Sequence, residues 1–352
     1  MTIADISISP LPDYHEVNLS AIYGIAHGFY SINFFARNEK CPAYHVTIIG
    51  ITALAQPEQE ISAPWSGRSR PLTLGLLPCT EADWLCFPDP FCSPVDTVAT
   101  ISSEIALRRK LFKAHRQEIF QHATTAENAI TEVSNMIEEN LASYHPALNF
   151  ERFEGENQLV SAALNIVDDI LLLAPASDAE GERWVLKAGF LAFPAHWSLA
   201  DKMDRPIETI HAPVPGLNDR LGNHIGRFFD AMVTNTITKR RNWTIQIDNR
   251  LFAPNRHDIS GLSQNDIDTR CFVRVEDQRL RKLAGTGWIV FTIRTSLAPI
   301  ARWRNDMTAL TELKDALSGL SEEMQAYRGV AAYRHPLFDW IDRQTAATKL
   351  SN

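Results

Sequence analysis

The chain has 352 residues, 45% hydrophobic and 22% charged, so it can bury a sizeable core without disulfide staples and is not a disordered polymer. Its 34 Lys and Arg against 42 Asp and Glu leave a net charge of −8. That balance argues against nucleic acid as a partner, because displacing counterions from phosphates needs a basic face, and equally against an anionic membrane surface.

Five cysteines, Cys41, Cys79, Cys86, Cys92 and Cys271, are odd in number and lack the spacing of a zinc site. They read as reduced thiols of a cytoplasmic protein. No apolar run reaches the roughly 18 residues of a membrane span. Met1–Pro10 has neither the basic nor the apolar region of a signal peptide.

In chain order, residues 1–68 form an N-terminal segment whose apolar patches, Tyr23–Tyr30 and Val46–Ile51, carry no long period. Prolines from Pro64 to Pro71 and Gly67 mark a boundary. Residues 69–150 read as a helical accessory region. After a loop-rich stretch holding Trp84, one helix is expected from about Ser102 to His122. A second opens on a Thr124-x-x-Glu127 capping box, carries the stripe Ile130, Val133, Met136, Ile137 and Leu141, and stops at Pro146.

Residues 151–300 change character. Ile166–Ala174 and Trp184–Phe193 read as two strands of a hairpin, with Pro175–Glu182 as the turn. Pro194–Gly216 is loop with a short helical piece. Leu221, Ile225, Phe228, Phe229 and Met232 then line one face of a helix. Three more strands are expected at Trp243–Ile247, Cys271–Val275 and Trp288–Thr295. Residues 301–352 close the chain with one helix bearing Leu310, Leu313, Leu317, Leu320 and Met324. Strand pair, helix and three strands predict an α+β domain with an antiparallel sheet and helices on one face.

The common nucleotide, phosphate and hydrolase motifs are missing: no G-x-G-x-x-G, no P-loop, no H-E-x-x-H, no G-x-S-x-G and no C-x-x-C-H. Several segments carry chemistry nonetheless. His211 lies in Ile210-His-Ala-Pro-Val-Pro-Gly216, where two prolines suggest a stiff extended loop that would hold an imidazole away from the core as a metal ligand. The plainer alternative is a histidine bonded to a backbone carbonyl.

Arg240-Arg-Asn-Trp243 places guanidinium and amide donors at the start of a strand, either facing a small ligand or in a surface ion pair. In Arg274-Val-Glu276, alternation puts Arg274 and Glu276 on one face and Val275 on the other. Facing a cavity, Glu276 would bind an amine cation; facing water, it is half of a solvated pair. Arg294 closes an apolar strand and suits an anionic group at a pocket rim, or simply solvent. His196 and Trp197 are either pocket lining or a helix start with Trp197 in the core.

These segments in their order resemble the α subunit of haem-dependent oxidative N-demethylase and its relatives. The resemblance spans roughly residues 70–345. It runs through Pro71-Leu-Thr-Leu-Gly-Leu, Ala82-Asp-Trp84, Arg108-Arg-Lys-Leu111 and Phe193-Pro-x-x-Trp-Ser-Leu199. The His211 segment, Arg241-Asn-Trp243, Arg274-Val-Glu276 and Phe291-Thr-Ile-Arg-Thr295 complete it.

The resemblance implies a PAS-like sheet binding haem b non-covalently, and a monooxygenase that converts dimethylamine or a similar small alkylamine, with O₂, into amine and formaldehyde. Electrons would come from NADPH through reductase subunits carrying flavin and an iron–sulfur cluster. It implies His211 as axial iron ligand, Arg241 and Glu276 as distal catalytic residues, and Arg294, His196 and Trp243 as cofactor contacts. A homo-oligomer is compatible with it.

Two departures stand out. The family pattern Glu-Arg-Gln-Thr-Leu is here Glu276-Asp-Gln-Arg-Leu280, and Gln-Glu-Asp is here Val167-Asp-Asp169. A haem sensor without turnover is the alternative function, and a subunit that kept the fold and lost its cofactor is a third.

Overall fold

The computed structural model describes residues 16–20, 32–38, 41–48, 63–66, 75–85, 98–178, 181–217, 223–256 and 261–351. The Tyr23–Tyr30 patch, Ile49–Ile51, Gly67, Pro71, Cys86, Cys92 and Leu221 lie outside those residues. The chain divides into two compact units, Met1–Glu60 and Ile61–Asn352. In the first, strands β1 (Glu16–Ser20), β2 (Ile32–Asn38) and β3 (Cys41–Ile48) pair antiparallel in sequence order, with a register irregularity between Ala36 and Asn38.

The second unit is built on a wholly antiparallel seven-stranded sheet. Its strands are β4 (Leu77–Cys79), β5 (Phe120–His122), β6 (Asp169–Asp178), β7 (Gly181–Phe190), β8 (Ile237–Gln246), β9 (Phe272–Lys282) and β10 (Ile289–Pro299), in the order β4-β8-β9-β10-β6-β7-β5. The five expected strands are present, and the short β4 and β5 are added at the edges.

Their bounds shift for physical reasons. β6 begins at Asp169, because the preceding residues wrap a buried arginine. It continues past Pro175 because β10 pairs only with Asp169–Leu173, leaving the proline where no second neighbour needs its missing amide. β8 starts at Ile237 rather than Trp243. Its polar run Thr238-Lys-Arg-Arg-Asn242 is fully paired with β9, although nothing apolar announces it.

On one face lie α1 (Val98–Ile119), α2 (Glu127–Tyr144) and α3 (Gln158–Ala163), which enclose a core with Ile170, Leu172, Ala188, Phe190 and Val290 of the sheet. The expected α2 stripe is buried at Ile130, Val133, Ile137 and Leu141, and Met136 packs beside it. The capping box does not form. Thr124–Ala126 makes a 3₁₀ turn leaving β5, Ala126 occupies the cap, and Glu127 meets His122 at 3.2 Å instead of reaching back to the backbone.

The same sheet face also carries a second core, where Ile245, Val273, Val275 and Ala298 meet the C-terminal helices. The short α6 (Ile267–Arg270) precedes β9, and the single helix expected after β10 is three: α7 (Met307–Ser318), α8 (Glu322–Arg328) and α9 (Arg334–Ser351). Ser321 accepts from the Met324 amide and caps α8, and Gly329, at φ 66°, turns the chain toward α9.

On the opposite face lie α4 (Ile207–His211) and α5 (Asn223–Ala231), over Leu171, Leu173, Leu186, Leu280, Ile289 and Ile293. One buried knot joins helix and sheet. Arg108 of α1 donates to the carbonyls of Ala163, Val167 and Asp168 and meets the Asp169 carboxylate at 2.8 Å. Asp169 also accepts the amides of Ala192 and Phe193, at 2.8 and 3.0 Å, which fixes the chain where it leaves β7. A pair this buried is retained because stripping one partner strands a charge, at a cost of about 3–5 kcal/mol.

Candidate functional site

The α4/α5 face of the sheet gathers the first group of candidate residues. α4 starts after Pro206, whose extended angles (φ −60°, ψ 148°) set the helix entry, and His211 is its last residue. The segment after it is not the stiff extended loop that the prolines suggest. Ala212 keeps helical angles, Val214 N donates to His211 O at 2.9 Å, Leu217 N donates to Val214 O at 3.2 Å, and Gly216 turns at φ 65°. A proline fixes φ but not ψ, and φ near −65° serves a tight turn as well as an extended chain.

The helix that carries His211 packs on the sheet through its isoleucines. Ile207 and Ile210 pack with Leu280, Ile289 and Phe291, and Ile210 also touches the cluster around Leu171 and Ile293. His211 Nδ1 is buried without a hydrogen-bond partner among the described residues. Burial first, then the cations Arg240 and Lys202, depress its pKa to about 4, so the ring is neutral through the physiological range.

Glu276 lies on the same sheet face. It is opposite Asn242 on β8 and Thr295 on β10. Its carboxylate accepts from Gln278 Nε2 at 3.0 Å and Asn242 Nδ2 at 3.4 Å, and Arg274 Nε stands 3.8 Å away. Arg274, buried and on the same face as expected, donates to Phe193 O, Leu251 O and Gln246 Oε1. It thereby pins the loops after β7 and β8 to the sheet.

One of those loops presents His196 at φ 61°, with its amide bonded to Ala253 O at 2.8 Å. Burial, then Arg256 and Arg274, hold the His196 pKa down to about 4. Trp197 packs against the Leu171 cluster rather than starting a helix.

The register separates the remaining candidates from these. Arg241 faces Asp277 directly across β8 and β9, and directly opposed residues of an antiparallel pair share a sheet face. Nε and an Nη of Arg241 grip both Asp277 oxygens, at 2.8 and 3.1 Å. The pair therefore projects onto the α1/α2 face, away from Glu276, and Arg241 and Glu276 do not line one pocket.

Trp243 follows the same parity. It packs edge-on against Trp65 at 5.3 Å, with the Arg328 guanidinium 5.9 Å from its ring, inside the second core. Arg294 does not end its strand at a rim. It sits mid-β10, opposite Asp277, fully buried, and bonds Glu104 of α1.

The structure thus brings His211, Glu276 and, toward one end, His196 to one face, and turns Arg241, Trp243 and Arg294 to the other. Two further residues lie on the His211 side, one read in the sequence only as part of the Arg240–Trp243 segment and one that escaped that reading. Arg240, the neighbour of Arg241, is opposite Gln278 on that face, and Lys202 donates to Ile210 O at 3.4 Å. Parity would have paired Arg240 with Glu276 had the β8–β9 register been known. Lys202 carries no signal in the sequence.

No described helix is long and apolar enough to cross a membrane. A family model described as haem-dependent oxidative N-demethylase, alpha subunit-like, matches residues 99–338, which contain every candidate residue named above.

Proposed function

The chain belongs to the haem-dependent oxidative N-demethylase alpha subunit-like family, and from that premise we propose that it is the haem-carrying oxygenase subunit of a demethylating complex. Its substrate would be a small secondary methylamine, which O₂ oxidises to the demethylated amine and formaldehyde. Releasing one methyl group as formaldehyde consumes one O₂, two electrons and two protons and yields one water. With no dinucleotide motif in the chain, the electrons come from NADPH through a reductase partner carrying flavin and an iron–sulfur cluster.

The observation that carries the reading is His211. A neutral imidazole with an orphaned buried nitrogen, on a helix whose isoleucines pack on an apolar sheet face, is the donor that a haem iron takes. An antiparallel sheet with short helices across that face suits a PAS-like pocket. When bound, haem b supplies the one-electron redox chemistry and the activation of oxygen.

The chain's own residues do the rest. Gln278, Asn242 and Arg274 orient the Glu276 carboxylate, and that carboxylate binds the substrate ammonium. The leucines and isoleucines of the face exclude water. The reading gives Arg241 no contact with substrate, because Asp277 holds it on the far face.

A second reading, a haem-binding module without turnover, is favoured by one feature: Glu276 already has three partners of its own. One set of titrations separates the two. Hemin added to the purified chain is expected to give a stoichiometric Soret band that His211→Ala loses or shifts. Small alkylamines should then perturb the band, and Glu276→Gln should weaken that response while leaving hemin binding intact. A wild-type chain without a specific Soret band overturns the haem reading. Hemin binding with no amine response and no formaldehyde on reduction in air selects the non-catalytic module.

A further inference from the structure

We infer that Arg240 and Lys202 form the carboxylate-binding rim of the haem site and fix the propionates, a role that Arg294 does not fill. The inference rests on the haem reading above and adds to it the residues that orient the ring.

Arg240 is placed by register. It stands in a row across three strands, Arg240 on β8, Gln278 on β9 and Ile293 on β10, all directed to the α4/α5 face. Ile293 packs in the same cluster as Ile210, the residue before His211. Lys202 is placed by its own bond, since its ammonium donates to the Ile210 carbonyl at 3.4 Å. Two cations from different segments therefore approach the end of α4, where His211 lies.

Both side chains are half-buried, neither sealed in the core nor free in solvent. That is the setting of a pocket rim. Haem presents an apolar disc to the protein and two carboxylates along one edge, so its site needs a neutral donor at the centre, an apolar floor and cations at the margin. His211, the isoleucine and leucine floor, and the Arg240–Lys202 pair supply these in that order. A dianionic edge would accept charge-assisted hydrogen bonds from a guanidinium and an ammonium so placed. Arg294 has the right charge in the wrong place, deep on the far face with Glu104 already bonded.

The test compares hemin with hemin dimethyl ester, which keeps the iron and macrocycle but masks both carboxylates. Each is titrated into wild type, Arg240→Gln, Lys202→Gln and the far-face control Arg241→Gln, followed by the Soret band. Wild type and the control are expected to prefer hemin, by about tenfold per cation engaged. Each rim variant should lose its share of that preference while binding the ester like wild type, and Arg240→Lys should recover part of it. If wild type binds both forms equally, or the rim variants keep the full preference, the rim assignment falls and the haem reading stands. If neither form binds wild type, the haem reading itself fails.

Discussion

His196 and His211 show how partial loss of solvent and neighbouring cations together set a protonation state. Each is held near 4, mainly by loss of solvent, with cations nearby adding to the shift. For His196 this makes a stability prediction. Its ordinary pKa of 6.5 applies in the unfolded chain. Between pH 6.5 and about 4 the unfolded chain therefore takes up a proton that the folded chain refuses. Stability is complete above that window and declines as pH falls through it. Allowing for partial solvent exposure, wild type should lose about 1 kcal/mol more than His196→Gln between pH 7 and pH 5 in urea unfolding. Equal losses in the two proteins would show that the ring is not desolvated as the structure has it.

At the scale of elements, the β6–β7 hairpin depends on a missing side chain. A Cβ on Gly189 would come within 2.8 Å of both Leu171 Cδ2 and Leu199 Cδ1, two leucines that pack on the α4/α5 face. Gly189→Ala would gain a little from a less flexible unfolded chain and lose more to overpacking, for a net cost of about 1 kcal/mol. In a chain of this size that lowers Tm by about 2–4 °C, measurable by calorimetry. A raised Tm would mean that the two leucines move aside freely.

Elements with strong periodicity were legible beforehand. The α2 stripe, the hairpin and the apolar part of β10 follow from spacing alone. The C-terminal break was not, because Leu317, Leu320 and Met324 keep a helical spacing across Gly319 and Ser321, and only the Ser321 cap reveals a new start.

At the largest scale, the seven-stranded sheet partitions the second unit. Arg241–Asp277 and Arg294–Glu104 form a polar seam on the α1/α2 face between two apolar cores, while Glu276 and His211 belong to the other face. The departure from the family pattern at Asp277 thus has a structural outlet: the carboxylate is taken up by Arg241 and does not reach the Glu276 side. A double-mutant cycle of Arg241→Gln and Asp277→Asn should show a coupling of about 1 kcal/mol in unfolding free energy, with hemin titrations overlaying those of wild type. A hemin affinity that tracks Arg241 would place that residue on the haem side and contradict the partition.

The sequence alone determined the α+β class, the antiparallel strands, the helical stripes and the ordered segments that carry the family resemblance, because these depend on local spacing and composition. It also put His211 and Glu276 forward from their residue types and settings. Which residues share a wall was decided only by tertiary structure. In a strand every second residue faces the same way, so placing Arg240 or Arg241 beside Glu276 turns on a one-residue choice of register. That register is set by pairing with residues 34 to 42 positions further along the chain, and no pattern within Thr238–Asn242 encodes it.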